Sequence, residues 1–295
     1  MDPVLCEAVR QGDAVAVAAL LLNNPAIDPA ANGNQAIRKA ARLGHAEVVA
    51  LLLADPRVDP AALGNQAIRK AARLGFAEVV ALLLANPRVD PAARDNLALR
   101  WAAADGHAEV VRLLLADPRV DPAALGNNAL QWAAAGGHAE VVRLLLVDPR
   151  VDPVFDDNWA LRYAATCDHA EVVALFLADP RVDPAALGNS ALRWAATEGR
   201  VEIARLLLAD TRVDSTANHN RAIRWAAQYG RVEVAALLLA DPRVDPAALD
   251  PPEFAAFCAR PLVAEALAAR RRWGPLRAAF LGAWGAAVRD AAPSA

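Results

Sequence analysis

The chain has 295 residues, of which 56% are hydrophobic, 5% aromatic and 22% charged, and its 31 Lys+Arg against 34 Asp+Glu leave a formal charge of −3. So apolar a chain can offset its ordering entropy by burial, which argues against disorder, and so even a charge balance gives no general attraction to polyanions. Three widely spaced cysteines, Cys6, Cys167 and Cys258, make neither a disulfide framework nor a metal cluster and fit a reducing compartment.

The first residues, Met1-Asp2-Pro3-Val4-Leu5, have no basic n-region and no apolar h-region, so no signal peptide is expected. No apolar run approaches the roughly eighteen residues of a membrane span. Length alone suggests about two ordinary domains, but an internal period replaces that expectation. Asn recurs at 34, 65, 96, 127, 158, 189 and 220, always 31 residues apart. The spacing predicts seven units, 34–64, 65–95, 96–126, 127–157, 158–188, 189–219 and 220–250, preceded over 1–33 by a partial unit that serves as an N-terminal cap. Within each unit a first helix is expected from the Asn, as N-cap, to the glycine at Gly44 and its equivalents; Asn at an N-cap is worth about 1 kcal/mol over Ala. A second helix follows, with Val48, Val49, Leu52 and Leu53 on one face, and it stops before Pro56. The link from Asp55 to Pro60 carries two prolines and is expected to run extended without a regular hairpin. Neither helix is long enough to stand alone in water, so the units must stack. Residues 251–295 are expected to form C-terminal capping helices over Glu253–Arg260 and Leu262–Trp273. A last helix over 276–290, with Leu276, Phe280, Trp284 and Val288 along it, is expected to pack on that cap.

The repeated stretch Ala-Ile/Leu-Arg-x-Ala-Ala-x-x-Gly-His-x-Glu-Val-Val-x-Leu-Leu-Leu resembles the ankyrin repeat. The resemblance covers about three quarters of the chain. It implies an all-α, ankyrin-type helix-pair solenoid, and the two residues missing from the family's usual length fall in the hairpin, so the links are expected to be short and largely strandless. Arg stands where the family has its first His, and Pro where it has Gly after the second helix. The resemblance also implies a non-catalytic scaffold that binds another protein through a concave groove and hairpin tips.

A helical wheel for the first helix assigns offsets from the Asn. Offsets +3, +6 and +7 face the core, and +5 is expected on a stacked flank; +1, +4 and +8 point into the groove. The +5 column of Trp101, Trp132, Tyr163, Trp194 and Trp225, preceded by Lys39 and Lys70, is therefore expected to pack between units. Replacing one Trp by Ala should then cost on the order of 3–5 kcal/mol. A stacking platform for bases is the sharper reading of the same column. His45, His107, His138 and His169 share one column, too far apart from unit to unit for one zinc ion, and Phe76, Arg200 and Arg231 stand in it too; they are read as helix-start residues, with no metal site. The +4 arginines Arg38, Arg69, Arg100, Arg162, Arg193 and Arg224 are expected to reach the preceding link, bonding its carbonyls or the Asp column at Asp59 and its equivalents, the task that the resemblance assigns to the family's His.

Three places stand out as candidates for function, the last two as departures from the repeated pattern. Arg42 and Arg73 join Arg38 and Arg69 into a strip of four guanidiniums suited to an acidic partner segment. The link Val154-Phe155-Asp156-Asp157, continuing into Trp159, Arg162 and Thr166, reads as an apolar anchor with a polar rim, the alternative being Phe155 tucked against the neighbouring finger. Thr216-Ala217-Asn218-His219 with Arg221 is a second, weaker candidate. No nucleotide-binding, metalloprotease or hydrolase motif occurs, and Cys167, Asp168 and His169 are too close in sequence to face one another on a helix. The expectation is a monomeric, cytoplasmic protein-binding scaffold with no catalytic residues and no cofactor. Single-stranded nucleic acid on the arginine strip is the alternative ligand.

Overall fold

The computed structural model describes residues 2–245 and 255–268. The expected last helix at 276–290, and the end of the expected helix at Leu262–Trp273, lie outside the described residues. Two compact units divide the chain, Met1–Ala160 and Leu161 onward.

In the first unit, α1 (Pro3–Gln11) and α2 (Ala14–Asn23) are followed by the pairs α3 (Ala31–Leu43) with α4 (Ala46–Ala54), α5 (Ala62–Arg73) with α6 (Ala77–Leu84), α7 (Ala93–Ala104) with α8 (Ala108–Leu115), and α9 (Ala124–Ala135) with α10 (Ala139–Val147). The boundary falls within α11 (Phe155–Thr166). The second unit contains α12 (Ala170–Ala178), α13 (Ala186–Glu198), α14 (Val201–Ala209), α15 (Ala217–Gln228), α16 (Val232–Ala240) and α17 (Ala255–Cys258), and residues 261–268 are helical as well. Among the described residues there is no strand. First helices stack on first helices, α3 on α5 on α7 on α9 and α13 on α15, while second helices stack on second helices, α4 on α6 on α8 on α10 and α12 on α14 on α16.

The core follows from two periodic patterns. Each first helix buries Ala, Ile or Leu, Ala, Ala at offsets +2, +3, +6 and +7, as Ala36, Ile37, Ala40 and Ala41 do. Each second helix from α4 to α14 buries three residues on one face, as Val48, Val49 and Leu52 do in α4. The alanines bring the helices close, and the branched side chains fill the space between them, each worth roughly 1.5–3 kcal/mol when fully buried.

The links hold the stack in register. Val58 and Pro60 are buried, as are their equivalents among the described residues, Ser215 standing in the proline's place in one link. Asp55 accepts from the backbone N–H and the guanidinium of Arg57, with the ion pair at 2.6 Å, while Arg57 Nη1 donates to the carbonyl of Ile27 one link earlier at 3.1 Å. The same clamp joins Arg119 to Val89 and Arg150 to Val120 at 2.8 Å in the first unit, and Arg212 to Val182 at 2.8 Å and Arg243 to Val213 at 2.9 Å in the second. Sequence reading passed over these link arginines because they do not lie on a helix.

The repeated Asn does not cap its helix as expected. Asn34 (φ 59°) is the third of three successive left-handed residues, after Asn32 and Gly33, and the regular right-handed helix begins only beyond it. Its side chain reaches forward instead, where Oδ1 accepts from the backbone N–H of Asp59 at 2.7 Å. Asn65, Asn96, Asn127 and Asn189 do the same for Asp90, Asp121, Asp152 and Asp214. Asn suits the position because it is among the side chains that best tolerate left-handed backbone. The Asp of the link, in turn, caps its own turn by accepting from Ala61 N–H at 3.0 Å.

Candidate partner-binding face

At about 100° per residue, the buried offsets +2, +3, +6 and +7 sweep one arc of each first helix, and +1, +4, +5 and +8 fall together on the other. Offsets +4 and +5 flank +1 and +8 symmetrically, so +5 belongs to the open face. The aromatic column accordingly lies on the surface, which corrects the expectation that it packs between units. Trp132 is 51% exposed, Tyr163 44% and Trp194 40%, and Trp101 and Trp225 are half-buried. Trp132→Ala is therefore expected to lower stability by less than about 1 kcal/mol in urea unfolding, as for an exposed site, and not by the 3–5 kcal/mol of a core residue.

The +4 arginines face the same way but are occupied. Arg69, only 5% exposed, donates Nε to Gly64 O at 2.8 Å and Nη2 to Leu63 O at 3.1 Å, gripping the left-handed turn that precedes its helix. Arg38 grips Gly33 O and Asn32 O and adds a bond to Gln66 Oε1 at 2.5 Å, and Arg100 grips Asp95 O and Arg94 O. Of the two partners expected for these arginines, the link carbonyls are the ones used. Burial, and secondarily the charge of Arg94, pushes the Arg69 guanidinium below its usual range.

This changes which cations of the expected strip are available. Gln35, Arg38, Lys39, Arg42, Gln66 and Lys70 line a concavity of about 400 Å³ in the first unit. Arg42 is exposed and makes no hydrogen bond or ion pair among the described residues. Lys39 Nζ lies 3.3 Å from Cys6 Sγ, and Lys70 Nζ sits 5.0 Å from the ring centre of Trp101. Arg73 is drawn aside, 3.5 Å from Asp105 and 5.1 Å from the same ring. Lys39 and Lys70 escaped the site prediction because the wheel had placed +5 on a flank.

At the expected apolar anchor, Phe155 is 44% exposed and lies on the finger before it. A Cβ added to Gly126 would meet the Phe155 ring at 2.5 Å, so the absence of a side chain at Gly126 makes room for the ring. Asp156 and Asp157 are exposed with φ of 53° and 52°, continuing the left-handed turn, and Trp159 is half-buried at +1. These residues belong to the first unit, whereas Arg162 and Thr166 belong to the second. Thr166 Oγ1 is occupied in a bond to Arg162 O at 2.9 Å. Arg221 stands at another concavity, of about 630 Å³, beside Trp225 in the second unit.

The histidine column has a structural task that sequence reading named only as helix-start chemistry. His45, His107 and His138 place Nε2 at 3.2, 2.9 and 3.0 Å from the carbonyls of Arg10, Arg73 and Ala104, near the end of the preceding first helix. Arg200 and Arg231 make the equivalent bonds to Thr166 and Thr197. Gly12 (φ 74°) shows how close this approach is, because a Cβ there would lie 2.6 Å from Nδ1 of His45. Among the described residues no group of three or more His, Cys, Asp or Glu is placed to hold a metal ion, and no helix is long and apolar enough to cross a membrane.

Within each unit the described residues form strandless helix pairs stacked on one another and tied through their links, which narrows the fold to few families. The family model described as ankyrin repeats (3 copies) matches residues 5–95, 99–186 and 161–250. The chain belongs to the ankyrin-repeat family. Among curated proteins none matches it. Ankyrin repeats generally mediate protein–protein interactions and are typically non-catalytic scaffolds. In this ankyrin chain Arg38, Arg69 and Arg100 at +4 each hold the left-handed turn before their helix, and most +1, +5 and +8 side chains of the first helices form the variable open surface, Ser190 and Thr197 being buried exceptions.

Proposed function

We propose that the protein is a non-catalytic scaffold that holds an acidic segment of another protein against the open face of its first helices, centred on Lys39, Arg42 and Lys70. The observation that carries this reading is the concavity between α3 and α5, where these cations converge with the amides of Gln35 and Gln66 and no carboxylate is among the lining residues. Carboxylates on a partner would find charge-assisted donors there. Arg38 and Arg69 act from behind by fixing the turns that shape the face. Phe155 and Trp159, bordered by Asp156 and Asp157, offer an apolar contact at a finger tip, and Arg73, Arg162, Thr166 and Arg221 lie along the same class of surface. The proposed organisation is an N-terminal cap at 1–33, seven repeats over 34–250 and a C-terminal cap over 251–295. The reading takes the protein as a monomer in a reducing, cytoplasmic compartment, which suits three cysteines as widely spaced as Cys6, Cys167 and Cys258.

The test is fluorescence anisotropy of a labelled ten-residue glutamate-rich peptide against the full chain. The triple variant Lys39→Glu, Arg42→Glu, Lys70→Glu is expected to weaken binding at least tenfold, or about 1.4 kcal/mol, with an unchanged unfolding midpoint. Equal affinity of the variant and the parent chain defeats the reading.

The exposed aromatics favour a second reading. Trp101 with Lys70 and Arg73 over its ring, followed by Trp132, has the stacking and charge of a single-strand platform. Labelled single-stranded RNA decides it, since this reading requires binding with a steep salt slope.

A further inference from the structure

We propose that the concavity on α15 is an anion site of its own, suited to a phosphate monoester. Asn218, His219, Arg221, Arg224, Trp225 and Gln228 line it, with no carboxylate among the lining residues. The proposal concerns a different place and a different ligand from the acidic-segment site in the first unit, and does not depend on it.

Two guanidiniums, Arg221 and Arg224, line this concavity, and a third, Arg193, shares the ring of Trp225 with Arg221. Arg38, Arg69 and Arg100 each grip their own left-handed turn. Arg224 occupies the same offset but is exposed and makes no hydrogen bond or ion pair among the described residues. Arg221 at +1 stacks its guanidinium 4.7 Å from the ring centre of Trp225, and Arg193, on the neighbouring first helix α13, lies 5.6 Å from the same ring. Arg193 keeps one bond to its turn, Nη2 to Leu187 O at 3.2 Å, while its Nε is buried with no acceptor. Trp194 meets Trp225 edge-on at 6.3 Å and 63° and steadies the indole.

Stacking on an aromatic uses the face of a guanidinium and leaves its N–H edges free. The ring of Trp225 thus holds Arg193 and Arg221 beside it, with Nε of Arg193 left without an acceptor, and Arg224 adds a further fork at the concavity. Burial pushes the Arg193 guanidinium below its usual range, and the charge of Arg221 adds to the effect, so the two cations stand close without compensation. An anion relieves that repulsion. A carboxylate has two oxygens to offer, whereas a phosphate monoester has three and carries about −1.5 to −2 charges near neutral pH. Several converging forks match the second better than the first.

Titration calorimetry of the full chain at constant ionic strength tests the site with three ligands: inorganic phosphate, a phosphoserine peptide and the same peptide unphosphorylated. The expected result is saturable one-site binding of a phosphate-bearing ligand. It should weaken at least tenfold in Arg221→Gln/Arg224→Gln and stay unchanged in Lys39→Glu/Arg42→Glu/Lys70→Glu. Both substituted arginines are exposed and hold no backbone, so an unchanged unfolding midpoint is expected to accompany the loss. Phosphopeptide binding at least tenfold tighter than inorganic phosphate, with none for the unphosphorylated peptide, identifies a phosphorylated protein side chain as the source. Comparable binding of the two phosphates identifies the free ion. Absence of saturable binding by either, equal binding of the unphosphorylated peptide, or full affinity in the double variant overturns the site.

Discussion

Arg69→Ala is expected to lower the unfolding free energy by about 3–5 kcal/mol, and Arg69→Lys to recover less than half of that loss. Two bonds from a charged donor to the carbonyls of Leu63 and Gly64 disappear, each worth about 1.5–3 kcal/mol. The turn they hold is itself costly. Leu63, Gly64 and Asn65 have φ of 54°, 66° and 58° in succession, and a left-handed residue other than Gly costs roughly 1–2 kcal/mol. Removing the grip lets this turn relax to other conformations, and with it goes the geometry that sends Asn65 forward to Asp90. Lysine restores a charge but not the planar fork that spans two successive carbonyls. The measurement is the urea midpoint and slope of each variant beside Arg224→Ala, which should move by no more than about 0.5 kcal/mol because Arg224 grips nothing. A lysine variant as stable as the parent chain contradicts the grip.

How much of this was legible beforehand depended on whether a residue acts within its own helix or across a period. The helix pairs, the burial of Ile37 and Ala40 and the stop before Pro56 were legible because each reflects local periodicity or local sterics. Asn34 was misread as a cap because Asn at a helix start is a common local signal, whereas its hydrogen bond runs to Asp59 in the next link. The clamp of Arg57 on Ile27 and the contact of His45 with Arg10 span about one period, and nothing in one unit names the partner in another. Only a constant spacing between columns hints at such ties; the +4 arginine was expected on its link, and its bonds there are local, five or six residues back. Within the candidate face, Arg42 was placed correctly on the open side. Lys39, Lys70 and the tryptophans were assigned to a flank by reading three offsets as open where the helix leaves four. That error reversed the meaning of the aromatic column, turning exposed side chains into imagined core.

The link clamps make acid the condition that tests the fold as a whole. For Asp55, Asp117, Asp148, Asp179 and Asp210, the hydrogen bond from the neighbouring arginine holds the carboxyl below its usual range against an opposing effect of burial. A carboxyl with a lower pKa in the folded chain than in the unfolded one stabilises the fold fully above the unfolded value, near 3.9 for Asp. That contribution disappears as the pH falls through the folded value. Stability is therefore expected to hold level from neutral pH down to about 5 as far as these groups are concerned, and to drop steeply below about 4, where the unfolded chain takes up more protons than the folded one. The clamps act in parallel along the chain, so their losses accumulate although each arginine is partly solvated and each pair alone is modest. Chemical denaturation between pH 7 and pH 2 measures this. Replacing the five aspartates by Asn, the residue that already stands at the equivalent position 86, should lower stability at pH 7 and flatten the acid limb, because Asn keeps an acceptor for the backbone N–H but has no proton to gain. Asn86 shows that the turn itself survives the change, since its side chain still accepts from Arg88 N–H at 3.0 Å. An acid limb of the same steepness in the five-fold variant would place the origin of acid unfolding outside the links, in the carboxylates of the helices.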